Sequence, residues 1–166
     1  EALVTDKARL YAFVQVKVAP HFDLETMSKR VLGKYWRKAS AEQKAAFIEG
    51  FRRLLVRTYA TAMATYRGQS IAVGKSTQRG KQRVVKMTVT QAGAPPIPIV
   101  YSMKQVTEQW KVQDVAIDGA SLAFRSRELV SRKVFGDLEA PEAVIDKLEP
   151  EFQKAVYGDK GTAKSA

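Results

Sequence analysis

"SAEQKAAFIEGFRRLLVRTYATAMATY", residues 40–66, reads as one long amphipathic helix, and what it faces decides the fold. Ser40 and Gln43 form a capping box: the serine hydroxyl accepts from the amide three residues on, and the glutamine side chain reaches back. From there Phe47, Phe51, Leu54, Leu55, Tyr59, Ala62, Met63 and Tyr66 fall on one broad face, with Glu49, Arg53, Arg57 and Thr61 opposite. The helix is predicted to run to about Tyr66 and to be ended by Gly68. Its second half is odd, because Ala60, Ala62 and Ala64 are threaded among bulky neighbours. A helix packed tightly on a sheet usually fills its buried face with large side chains. The choice is between a solid core and a space kept open.

The flanking sequence supplies the other layers. Residues 5–19 carry Leu10, Phe13, Val14 and Val18 at helical spacing and are closed by Pro20. Asp23 is a good N-cap for a second helix that buries Leu24, Met27, Val31 and Leu32, and Gly33 allows a bend before Tyr35 and Trp36. Four strands are predicted after the long helix: "QSIAVGKST", "QRVVKMTVTQ", "IPIVYSMK" and "EQWKVQDVAID". Val85, Met87 and Val89 alternate onto one face of the second strand. Ile97, Ile99, Tyr101 and Met103 do so on the third, and Trp110, Val112 and Asp114 on the fourth. Short connections favour an antiparallel meander, and Pro95, Pro96 and Pro98 place the start of the third strand at an edge or bulge. Asp118-Gly119 is expected to end the sheet. Ser121 then caps a helix through "LAFRSRELVSRKVF", and Pro141 opens another, "PEAVIDKLEPEFQKAV". Residues 157–166 have nothing to bury and are expected to be a mobile tail. Without an internal repeat or long linker, residues 1–156 form a single α+β domain.

Composition bounds the function. The 166 residues are 45% hydrophobic, enough for a real core, and no apolar run approaches the ~20 residues of a membrane-spanning helix, so a soluble chain is expected. It opens on Glu1 rather than Met, as expected of a processed product. Cysteine is absent, which excludes disulfides and thiol chemistry. The net charge of +11 points to an anionic partner: nucleic acid, a membrane surface or an acidic protein. The basic residues read as spread through the chain rather than held in one block.

Motifs for chemistry are weak. "GQSIAVGKST" has five residues between Gly68 and Gly74 where a phosphate-binding P-loop needs four, and it does not open a helix; it reads as a turn. His21 is the only histidine, so a histidine-rich metal site is impossible, and a connection residue is expected. Asp114 and Asp118, four apart on one strand, could pair as acid and base. Asp118 is more simply the turn residue before Gly119, and Asp114 an anchor for nearby backbone or an arginine. "GKYWRK" could stack bases between cations, although aromatics beside a helix end commonly seal a core. A nucleic-acid-binding module is the alternative function, and a small enzyme using Asp114 a third.

The order of motifs resembles the MlaC family, periplasmic phospholipid-binding components of the system that maintains outer-membrane lipid asymmetry. The resemblance covers about Phe22 to Leu148. It is carried by Leu32-Gly33-x-Tyr35-Trp36-Arg37, by Gln43 with Phe47 and Phe51, by Tyr59 and Tyr66, and by Trp110-x-Val112-x-Asp114-Val115 with Gly119-x-Ser121-Leu122. "MKQVTEQ" lacks the glycine turn expected before Trp110. The resemblance implies a mixed helix–sheet fold enclosing an apolar cavity for acyl chains, with phospholipid as cargo, no other cofactor, no metal and no catalysis. It also implies a monomer that shuttles between an inner-membrane ABC-transporter complex and an outer-membrane lipoprotein–porin complex, after removal of a secretory peptide.

Physical chemistry answers the oddity of the helix. Two acyl chains carry about 30 methylenes at about 0.8 kcal/mol each, so exposing them to water costs roughly 20 kcal/mol or more. A carrier must wrap both chains. Alanines among bulky residues leave room for tails, and methionines adapt to different chains. The expected lipid-contacting set is Phe51, Leu55, Tyr59, Ala62, Met63 and Tyr66 on the helix, with Met87, Val89, Ile99, Tyr101, Met103, Trp110 and Val112 on the sheet.

Overall fold

The computed structural model describes residues 6–121 and 123. The two helices expected after Ser121 and the tail at 157–166 lie outside the described residues, apart from Ala123. Helix α1 (Lys7–Lys17) starts at Asp6, whose carboxylate accepts from the Arg9 amide at 3.1 Å. Leu10 and Val14 are buried, but Phe13, expected in the core, is 36% exposed. The core-facing stripe of α1 is thus one residue per turn, narrower than the spacing implied. The helix also stops at Lys17, and Pro20 sits inside a 3-10 turn, Ala19–His21, with His21 exposed.

Helix α2 (Leu24–Leu32) is capped by Asp23, which accepts from the Thr26 amide at 3.0 Å, and buries Leu24, Met27, Val31 and Leu32. Gly33, at φ +55°, turns the chain into a 3-10 segment, Gly33–Arg37. Helix α3 (Ala41–Ala64) has both bonds of the capping box, at 3.2 and 2.9 Å. At 24 residues it is about 36 Å long. The Phe47 and Phe51 rings lie nearly parallel, 6.2 Å apart, in the core that α3 shares with α1 and α2. The helix ends at Ala64, so Tyr66 falls in the following turn and not on the helix; its hydroxyl donates to the Gln69 carbonyl at 3.0 Å.

The sheet is an antiparallel meander of five strands rather than four: β1 (Ser70–Arg79), β2 (Gln82–Thr90), β3 (Ile97–Val106), β4 (Gln109–Ile117) and β5 (Ala120–Ser121). Asp118-Gly119 does not end the sheet. Both residues take left-handed backbone (φ 51° and 77°) and close a two-residue hairpin that pairs Ile117 with Ala120. Asp114 fastens this hairpin. Its Oδ2 accepts from Ser121 Oγ at 2.6 Å, and its Oδ1 accepts from the amides of Val115 (2.9 Å) and Ala123 (3.3 Å). "GKS" at 74–76 lies in β1, within the predicted strand "QSIAVGKST" and not in a turn, and the register shifts by one residue between Val73 and Ser76. Pro98 enters β3 one residue before its ladder with β4 begins at Ile99, so its missing N–H leaves no ladder partner stranded.

Two features of β4 position everything else. The register against β3 slips between Ser102 and Met103, leaving Gln113 as an extra residue opposite them. Trp110 and Val112 therefore share a face with Val115 and Ile117, and Asp114 pairs with Ser102 on the opposite face. The expected grouping of Asp114 with Trp110 and Val112 is broken by that bulge. The same bulge holds the helices to the sheet. The Asp23 amide donates to the Val112 carbonyl at 2.8 Å, and Gln113 Nε2 donates to Asp23 Oδ2 at 3.1 Å. Arg30 donates to Gln113 O and Oε1 at 3.1 and 3.2 Å.

Two expected outcomes follow from these joints. The β3–β4 turn is made by Thr107 and Glu108, both left-handed (φ 45° and 66°) without a glycine. Left-handed backbone costs about 1–2 kcal/mol per ordinary residue, so Thr107→Asn with Glu108→Gly is expected to raise stability by about 1–2 kcal/mol, seen as a higher urea midpoint at unchanged m. No gain would mean that the turn is not held in this conformation. The second concerns Asp23. Burial alone would raise its carboxyl, but the bonds from Thr26 and Gln113 and the Arg30 charge outweigh it and hold it below the ordinary aspartate range. A depressed folded value gives stability that is fully present above the unfolded pKa of about 3.9 and lost as pH falls through the folded one. Asp23→Asn keeps a good N-cap, so its deficit against wild type should be constant near neutral pH and shrink below about pH 4. A deficit independent of pH would contradict this.

Candidate functional site

Burial across the inner, helix-facing side of the sheet falls steadily from one edge to the other. On β4, Val112, Val115 and Ile117 are 5%, 2% and 7% exposed. Their neighbours Ile99, Tyr101 and Met103 on β3 are half-buried, as are Val85, Met87 and Val89 on β2. On β1, paired with β2 through Ile71↔Val89 and Val73↔Met87, the same rows are 55% and 70% exposed. The described helices meet the sheet at its β4 side and leave an apolar strip over β3 and β2.

The C-terminal half of α3 overhangs this strip. Tyr59 packs edge-on against Phe22 (5.5 Å, 68°), and its hydroxyl meets that of Tyr101 at 3.4 Å. Burial pushes the Tyr101 hydroxyl above the ordinary phenol range, an effect its bond with Tyr59 opposes, so Tyr101 stays neutral at physiological pH. Ala62 and Met63, one turn further along, are half-buried.

The thirteen expected contact residues thus separate into three groups. Phe51, Leu55 and Val112 are buried in the close-packed core. Tyr59, Ala62, Met63, Met87, Val89, Ile99, Tyr101, Met103 and Trp110 are half-buried. Tyr66 is 48% exposed in the turn beyond α3. The alanines also divide: Ala60, 2% exposed, is a packing residue of the core, whereas Ala62 keeps partial exposure.

Two features escaped the sequence reading. By register the inner rows of β2, β3 and β4 hold one charged residue among the described residues, Arg83, whose guanidinium lies 4.5 Å from the centre of the Trp110 ring. The alternation that put Val85, Met87 and Val89 on one face already placed Arg83 with them. The positive charge is also less evenly spread than it read. Between Arg67 and Lys111 stand eight Lys or Arg residues and one Glu, a net +7 of the chain's +11. On the outward face, Arg79, Gln82, Lys104 and Lys111 stand in one cross-strand row.

Little else on the described residues offers chemistry. Asp114 is committed to backbone and Ser121, and Asp118 to an exposed turn. No group of three or more His, Asp or Glu residues among the described residues could hold a metal. No helix among them is long and apolar enough to cross a membrane. A cleft of about 210 Å³ between α1 and α3 is lined by Tyr11, Gln15, Glu49, Arg52, Arg53, Val56 and Arg57. Most of its lining residues are polar or charged, and it contains none of the expected contact residues.

Comparison with known proteins places this geometry. A solved phospholipid-binding protein from Ralstonia solanacearum, in complex with a phospholipid, superposes with a TM-score of 0.74 at 25% identity, covering 91% of this chain and 87% of that one. The toluene tolerance protein ttg2D of Pseudomonas putida is 33% identical over 140 residues, which are 83% of this chain and 65% of that protein. The intermembrane phospholipid transport system binding protein MlaC of Haemophilus influenzae is 29% identical over 122 residues, 70% of this chain and 57% of that protein. The chain thus spans somewhat over half the length of these curated relatives. A family model described as MlaC protein matches residues 1–150, and the chain belongs to that family.

Proposed function

We propose that this chain is a periplasmic phospholipid carrier that holds acyl chains between α3 and the inner face of β2 and β3, and that it is not an enzyme. The observation that carries this reading is the burial gradient. An apolar strip of Val85, Met87, Val89, Ile99, Tyr101 and Met103 lies beside small and flexible helix residues, Ala62 and Met63, and its polar groups are tied to one another. Such a surface is unfavourable in water and has no catalytic group along it. Covering it with lipid chains removes apolar area on both partners at about 25 cal/mol per Å². Methionines at 63, 87 and 103 let the strip conform to chains of different shape. The Ralstonia relative, solved with a phospholipid, supports the cargo.

The proposed lining is the half-buried set, with Phe51, Leu55 and Val112 forming its floor and Tyr66 its outer margin. A carrier in this pathway exchanges cargo with an inner-membrane ABC-transporter complex and an outer-membrane lipoprotein–porin complex. Arg79 and Lys104, exposed in that outward row, suit acidic partner surfaces. Residues 1–156 act as one binding unit, as a monomer.

The test compares wild type with Ala62→Trp, both purified without detergent from a bacterial host. Wild type is expected to release diacyl phospholipid in near-stoichiometric amount on organic extraction. In a close-packed core the added indole would cost about 1–3 kcal/mol or more. Beside a lipid site it fills volume otherwise taken by a tail, so the variant should keep the thermal stability of delipidated wild type and lose most of its lipid. Wild type without lipid, or with nucleic acid in its place, would overturn the carrier reading. A variant with its full lipid load, or one that unfolds, would remove Ala62 from the site.

A further inference from the structure

The lone charge of the inner rows stands where an apolar surface should have none. Arg83 lies directly opposite Met103 and is half-buried. Its guanidinium rests over Trp110 at 4.5 Å, and Nη2 donates to Gln78 Oε1. Among the described residues no carboxylate lies within ion-pair distance of it, and its Nε is buried without a hydrogen-bond partner. Gln78 and Trp110 orient the group, but both are neutral, so neither cancels its charge. A half-buried cation without a counter-charge is costly unless an anion is supplied from outside.

We propose that Arg83 is the phosphate-binding residue of the lipid site. The proposal rests on the carrier reading above. A planar guanidinium pinned on an aromatic face is pre-organised for two-pronged bonding to a phosphate, which an ammonium cannot reproduce. Position fits as well. From Arg83 the inner row of β2 runs through Val85 and Met87 to Val89, six residues or about 20 Å of strand. One leaflet of a ~30 Å bilayer core is about 15 Å deep, so a headgroup at Arg83 leaves its chains a strip of matching length. The headgroup phosphodiester sits beside Trp110, and the chain ends lie toward Val89 and Ile97.

The test isolates the phosphate by cancelling the chains. Wild type and Arg83→Gln are loaded from vesicles containing phosphatidylglycerol and diacylglycerol with identical acyl chains, and the bound lipids are extracted and counted. Charge-assisted hydrogen bonds contribute about 1.5–3 kcal/mol, so the ratio of phosphatidylglycerol to diacylglycerol carried should be lower in Arg83→Gln by roughly tenfold to a hundredfold. Arg83→Lys, which keeps charge and bulk but not the fork, should fall between the two and serves as the test if the glutamine variant does not fold. Wild type that loads neither lipid would defeat the carrier reading itself. Wild type that loads both without preference, or variants that keep the wild-type ratio, would leave the carrier standing and overturn the role of Arg83. Inorganic phosphate is added in a parallel arm. If it binds wild type and not Arg83→Gln while the lipid ratio is equal in both, the residue serves free phosphate and the proposal fails.

Discussion

Among the described residues, the backbone of the helical layer is fastened to the sheet where Asp23 meets the β4 bulge. Asp23 bonds the Val112 carbonyl through its amide and Gln113 through its carboxylate, and Arg30 closes the circuit on Gln113. Because the bulge supplies an extra residue, the strand shows Val112 to the helices and still offers Gln113 to the seam. With α2 held at this edge, the inner face passes from core on β4 to half-buried on β3 and β2. Fastening at the centre of the sheet would press α3 onto β2 and leave no such strip.

What the strip lacks in charge matters as much as its shape. The β4 bulge turns Asp114 to the outward face, where Ser121 and two amides take up its oxygens. The phenols of Tyr59 and Tyr101 meet each other, and burial keeps the Tyr101 hydroxyl protonated. A strip so neutralised favours hydrocarbon without binding it through directional contacts. That suits a carrier, which must offset roughly 20 kcal/mol or more of chain exposure and yet not hold the lipid far better than a bilayer does.

Much of this was legible in the sequence. The capping box at Ser40 and Gln43, the N-cap at Asp23, and the alternation through Met87 and Tyr101 are local signals, and each appears where its residues placed it. The failures come from tertiary context. Nothing local marks Gln113 as a bulge, so Asp114 read as a neighbour of Val112. Phe13 has helical spacing, yet which stripe of α1 is covered depends on how α3 crosses it. Asp118-Gly119 is a strong hairpin signal, but Ala120 and Ser121 are too short to announce a strand beyond it. Thr107 and Glu108 carry no turn signature, and tertiary pairing of β3 with β4 holds them left-handed. Among the expected contacts, Phe51 and Leu55 share a helix face with Tyr59, and periodicity alone cannot separate a core residue from one facing cargo.

Whether hydrocarbon lies against the inner face can be measured through the chain's own two tryptophans. Trp110 is on the inner face beside Arg83, and Trp36 is in the 3-10 segment before α3. Phospholipid with acyl chains brominated close to their ester ends quenches the fluorescence of a tryptophan it touches. Loaded with it, Trp36→Phe, which reports Trp110 alone, should lose much of its emission, while Trp110→Phe, which reports Trp36, should change little. Emission from Trp110 that is unaffected by bound brominated lipid, or quenching of Trp36 in its place, would contradict a site between α3 and the sheet.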